Sequence, residues 1–160
     1  MVRAFADVED TLPNKPSELI RVALRDLEYV EKSPQYLVDM GTWFSSAIPG
    51  GRPCAVCLAG SVVVRSLLKE SPTRLEEEFI GPLDFAYPIS GKLYALDAFR
   101  RGCIHEGLAR FYGYTEIDLG RIIDLTGIPE RLVIEPYHIS SQKFHKDLQL
   151  TAECLRLCGH

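Results

Sequence analysis

Cys54-Ala-Val-Cys57-Leu-Ala-Gly60-Ser-Val-Val-Val64 is the stretch whose reading decides the fold. It follows the turn-rich Pro49-Gly-Gly-Arg-Pro53 and carries no charge. It reads as an element buried on almost every side, with two thiols where the chain enters the core. Val62-Val63-Val64 taken alone favours a strand. The length of the run and its Ala and Leu content select a helix over Pro53–Leu68, with proline at a first position that needs no N–H. Ala59, Gly60 and Ser61 are small enough to admit another backbone, or the helix of a second copy in a homo-oligomer.

Outward from this segment, helical spacing dominates. Leu19, Ile20, Ala23, Leu24, Leu27 and Val30 form one stripe, with Ser17 as its N-cap and Ser33-Pro34 as its end. Residues 35–53 read as a long loop bearing Tyr36, Met40, Trp43 and Phe44, pinned to the core or part of a site. Residues 71–89, with three prolines and Glu76-Glu77-Glu78, read as a second loop. Ser90 opens a further helix with Leu93, Leu96, Phe99 and Cys103 inward, ended by Gly102. Ile104, Leu108 and Phe111 continue at helical spacing. Thr115–Leu125 reads as a short helix, Val133-Ile134 as extended at most, and Ser141–Leu157 as a last helix with Phe144, Leu148, Ala152 and Leu155 inward. The expected fold is all-α: one domain over residues 1–160, an irregular bundle of about five helices around a buried central helix at 53–68, with 1–15 a loosely held arm.

Composition narrows the function classes. The 160 residues are 46% apolar and 25% charged, with a formal net charge of -4. A chain of this size buries roughly 70% of its unfolded surface and needs no disulfide scaffold. The acidic balance argues against duplex nucleic acid as a partner, because a phosphate backbone calls for a Lys/Arg-rich face. No apolar run reaches the roughly 18 residues that span a bilayer. Five cysteines without a signal segment point to reduced thiols in a cytoplasm.

The candidate chemistry is sparse. Cys54 and Cys57, spaced three apart, and Cys154 and Cys158, spaced four apart, supply the four thiolates of a tetrahedral zinc site. The plainer explanation is buried core thiols, since zinc cysteines usually sit on turns. Cys54-x-x-Cys57 at a helix start also has the form of a redox motif, but the strand–helix alternation of that fold is absent. Cys103 and His105 are too close in sequence to face one another on a helix. No phosphate loop, dinucleotide fingerprint or nucleophile elbow is present, so no catalytic constellation and no cofactor are expected. The Arg100-Arg101 pair follows Asp97 at spacings of three and four, and a helical salt bridge explains it. The sharper reading adds Arg52, Trp43, Tyr94 and Tyr112. Guanidinium forks hold phosphates and aromatic faces hold bases, so Trp43, Arg52, Tyr94, Arg100, Arg101 and Tyr112 together fit a small anionic ligand.

Three motifs stand in order: Asp39-Met40-x-x-Trp43, Cys54-x-x-Cys57-Leu-Ala-Gly60, and Leu96-Asp97-x-x-Arg100-x-Gly102. In this order, after a Leu-rich helix, the chain resembles small uncharacterised proteins encoded by bacteriophages and prophages. The likeness covers residues 17 to 112 and departs in the N-terminal arm and at residues 70–90. It implies a phage origin, the cytoplasm of a host bacterium, and no catalytic residues to carry over. It implies a role in binding something of the host: a nucleotide signal of its immune systems, captured as counter-defence, or a host enzyme inhibited by direct contact.

Overall fold

A computed structural model of the chain describes residues 12–45, 51, 53–70 and 91–160. The described residues form six helices and three short strands. They are α1 (Pro16–Lys32), β1 (Tyr36–Val38), β2 (Phe44–Ser45), β3 (Cys54–Val56), α2 (Leu58–Glu70), α3 (Gly91–Arg100), α4 (Ile104–Tyr112), α5 (Glu116–Thr126) and α6 (Ser141–Leu157). The protein is therefore mostly helical, and the all-α expectation is corrected by a small sheet. Contacts divide the described residues into two compact units, one within residues 25–70 and the other made of residues 12–24 with 91–160.

In the first unit, Cys54–Val56 is a strand and not the first turn of a helix. It is the middle strand of the sheet, parallel to β1 (Tyr36 opposite Cys54, Val38 opposite Val56) and antiparallel to β2 (Phe44 opposite Val56). All three of its residues are buried, as a middle strand covered on both faces requires. Pairing satisfies backbone groups that a helix start would leave open. The helix then begins at Leu58, five residues later than proline at position 53 suggested. Residues 35–53, expected as a loop, supply both partner strands. Asp39 shapes the bend between them: its Oδ1 accepts from Gly41 N (2.9 Å) and its Oδ2 from Thr42 Oγ1 (3.3 Å). Met40 and Phe44 are buried, so the segment is pinned to the core.

In α2, Leu58, Ala59, Val62, Val63 and Val64 are buried. Gly60 is there because a backbone carbonyl passes over it. A Cβ at this position would lie 1.8 Å from Trp43 O. That carbonyl accepts from Cys57 N at 3.4 Å. Gly60 and Ala59 are both buried within the chain.

The second unit is built from α3 to α6 with the start of α1. Every member of the predicted α1 stripe is buried, as are Phe144, Leu148, Ala152 and Leu155 of α6. Proline at 16 takes the first helical position, so Ser17 lies inside the first turn instead of capping it. Its hydroxyl donates to the carbonyl of His160. Leu12 is buried, and Lys92 Nζ donates to its carbonyl (2.8 Å) and to Asn14 Oδ1 (2.9 Å). The rest of the expected arm, residues 1–11, lies outside the described residues, as do the 71–89 loop and Ser90. Thr115 caps α5 through a reciprocal pair of bonds with Asp118.

The turn between α3 and α4 reverses the chain within a few residues. Gly102 N donates to Phe99 O and Cys103 N to Ala98 O, the double closure of a helix end. This places Gly102 at φ +76°, where side chains are strained, and a Cβ there would meet Leu132 O at 1.9 Å. The two helices then pack closely enough that a Cβ at Gly107 would meet Phe99 Cε1 at 2.5 Å.

Candidate functional site: the outer face of the α3–α4 hairpin

Cys54 and Cys57 are buried. Burial pushes the Cys54 thiol up to about 11. The Cys57 sulfur lies 3.9 Å from Trp43 O. A reactive cysteine needs a partly exposed, electropositive setting that favours the thiolate. Here desolvation works the other way. Cys154 and Cys158 lie half-buried on and just after α6. Among the described residues, no three His, Cys, Asp or Glu side chains are gathered so as to hold a metal ion. Cys103 Sγ points to Arg101 O at 4.0 Å. Burial lowers the pKa of His105, whose Nε2 is enclosed without a hydrogen-bond partner among the described residues. Ser61 is buried in α2, and its Oγ donates to Cys57 O, the residue before that helix.

The three ordered motifs each have work to do in folding. Asp39 closes a turn, Met40 is buried, and Trp43 presents the carbonyl that Gly60 accommodates. Asp97 holds Arg100 at 2.6 Å, and Gly102 makes the reversal into α4.

Of the six residues proposed for an anion, Trp43 belongs to the first unit and is half-buried. Arg52 lies outside the described residues. Tyr94, Arg100, Arg101 and Tyr112 all fall on α3, α4 and the turn between them. Tyr112 is half-buried, with its hydroxyl enclosed and without a hydrogen-bond partner among the described residues, and burial raises its pKa.

The other three share a surface with residues not singled out from the sequence. Tyr94, Asp97 and Arg101 are spaced three and four apart, and Arg101 N keeps the helical bond to Asp97 O (3.2 Å), so they occupy one face. The Tyr94 ring stacks on Phe111 of α4, with centroids 5.7 Å apart and planes 12° apart. The Arg110 guanidinium lies over the other partner of that stack, 5.2 Å from the Phe111 centroid. From there the charges run along the hairpin. Glu106 lies 3.8 Å from Arg110 and 3.6 Å from Arg101. Asp97 takes Arg101 Nε at 3.1 Å and two nitrogens of Arg100, at 2.6 and 3.1 Å. The salt-bridge explanation of the arginine pair is thus correct. Among the described residues, the guanidinium groups of Arg100, Arg101 and Arg110 and the carboxylates of Asp97 and Glu106 line the surface beside a pair of stacked rings. Glu106 and Arg110 were legible as an i, i+4 pair. Phe111 was read only as an inward residue, and only the turn at Gly102 brings it beside Tyr94.

The chain matches no protein-family model, no curated protein and no solved structure. Among the described residues no helix is long and apolar enough to cross a membrane.

Proposed function

We propose that this protein is a binding protein that takes a small anionic ligand bearing an aromatic ring, of the nucleotide class, on the outer face of the α3–α4 hairpin. One observation carries the reading. The exposed guanidinium groups of Arg101 (44% exposed) and Arg110 (70%) stand beside the parallel Tyr94–Phe111 stack. Arginine offers phosphate a planar fork of donors, and a ring stack offers a base a face to extend. Together with the resemblance to phage-encoded proteins, this favours capture of a host immune nucleotide in the bacterial cytoplasm. Calorimetry with cyclic and ADP-ribose-type nucleotides tests it. Binding at tens of micromolar, about −6 kcal/mol, is expected for at least one of them. Absence of heat across the panel contradicts it.

A second reading, inhibition of a host protein by direct contact, draws on a different observation. Ile117 and Leu125 of α5 are 70% and 74% exposed, and Val133 and Ile139 beyond it are exposed as well. Apolar side chains left in water mark contact surfaces when they cluster. Phe44 is buried and adds nothing to a contact surface beside Trp43. Joint replacement of Ile117 and Leu125 by glutamate would abolish binding to a host partner without changing the melting temperature, if this reading holds.

A further inference from the structure

We infer that Glu106 occupies the place of the ligand's phosphate, and so sets both the affinity and the ligand class of the hairpin; the inference rests on the binding reading above. The two acids of the hairpin hold their arginines very differently. Asp97 makes short, directed hydrogen bonds, at 2.6 Å to Arg100 Nη2 and 3.1 Å to Arg101 Nε, and is only 17% exposed. Glu106 approaches Arg101 and Arg110 only at 3.6 and 3.8 Å, beyond hydrogen-bond length, and is 39% exposed. Long, solvated ion pairs of this kind contribute little and exchange readily. Asp97 is therefore a fixed brace that orients Arg101, and Glu106 is a weakly held anion between two guanidinium groups.

A phosphate is a better occupant of that position than a carboxylate. It carries more charge and more acceptor oxygens, and it can take a fork from each arginine at once. The same arrangement sets what else the ligand must carry. Arg110 spans from Glu106 to the face of Phe111, and Phe111 stacks on Tyr94. A ligand with its phosphate between Arg101 and Arg110 would extend toward these rings, where an aromatic base has a stacking partner and a simple phosphate has none. The class is a nucleoside phosphate. Glu106 excludes weaker anions, because any entrant must first displace it, and like charges at such a spot oppose one another.

The experiment compares the whole protein with Glu106→Gln, Arg101→Ala, Arg110→Ala and Arg100→Ala, using ADP, inorganic pyrophosphate and adenosine as probes in calorimetry. The wild type should bind ADP more tightly than pyrophosphate, and adenosine least. Glu106→Gln should tighten ADP about fivefold, because the competing charge is gone while the shape is kept. Arg101→Ala and Arg110→Ala should each weaken it about tenfold, and Arg100→Ala should matter much less. Glu106→Ala repeats the test without the amide. If ADP binds the wild type but neither Glu106 variant binds it more tightly, the role of Glu106 is overturned and the binding reading survives. If ADP binds none of the proteins at millimolar concentration, both fall. Circular dichroism melts, expected to be unchanged for the exposed Glu106, Arg101 and Arg110 side chains, separate lost binding from lost folding.

Discussion

The β3–α2 junction and the α3–α4 hairpin are both places where a glycine lets two backbone elements close up, yet they end in opposite electrostatic states. At the junction, residues 54–64 are uncharged and buried, and the carbonyl of Trp43 fills the space over Gly60. At the hairpin, Gly107 admits the Phe99 ring on the inner side, while arginines, carboxylates and rings gather on the outer side. The junction has reactive atoms in a setting that silences them: the Cys54 thiol needs a pH near 11 to ionise. The hairpin has ordinary charged residues in a setting that leaves them available. An unusual sequence motif here marks a packing constraint, while the exposed charges gather on a surface built from common residues.

The sharpest way to break this comparison is to fill the close approaches. Gly60→Ala sets a Cβ against rigid backbone, and Gly102→Ala adds a left-handed φ to a similar clash. Each should cost about 3 kcal/mol or more, read as a large loss in denaturant midpoint. Gly107→Ala meets the edge of a fully buried ring that can shift only slightly, and about 2 kcal/mol is expected. A Gly60→Ala protein as stable as wild type would show that the junction is not packed as described.

Alkali should act next, through the buried thiol. The folded-state pKa of Cys54 lies above its ordinary value of 9.0. The unfolded chain therefore loses this proton first as pH rises. The stabilisation is complete below pH 9 and is lost progressively as pH climbs through 9 toward 11. Tyr36, Tyr112 and Tyr114 shift in the same direction, each chiefly through burial, and reinforce the trend. Melting curves from pH 7 to 11 should show falling stability, and Cys54→Ala should flatten part of that fall. In alkylation at pH 8, Cys103, Cys154 and Cys158 should react well before Cys54 and Cys57. Rapid modification of Cys54 would contradict a silent junction. The smallest effect belongs to the hairpin surface, where Glu106→Gln should change stability by less than about 0.5 kcal/mol.

How much of this could be read from the residues depended on whether local pattern decided the local structure. Helix α6 was legible to its ends, because Phe144, Leu148, Ala152 and Leu155 keep one face and Ser140 caps the start by accepting from Lys143 N (3.2 Å). Helix α1 was equally plain from its stripe. Cys54–Val56 was not, since a short apolar run fits a buried helix turn and a middle strand alike. Its state is set by pairing with Tyr36–Val38 and Phe44–Ser45, strands of three and two residues that carry almost no signal of their own. The site was legible in part. Asp97, Arg100 and Arg101 follow from helical spacing, and Tyr94 was among the candidates. The Tyr94–Phe111 stack depends on the reversal at Gly102–Cys103, which sequence spacing does not encode. Tyr112, one residue away from Phe111, is half-buried as Phe111 is, but its hydroxyl is enclosed.

The most direct measurement is a nuclear magnetic resonance titration of the isotope-labelled protein with ADP, following backbone and aromatic signals together. Shifts concentrated at Tyr94, Arg101, Glu106, Arg110 and Phe111, with Trp43 and Cys54–Val64 unmoved, are what a ligand on the outer hairpin face would produce. Shifts centred on Trp43 and the cysteine stretch, with the hairpin silent, would show that the binding surface has been placed in the wrong half of the molecule.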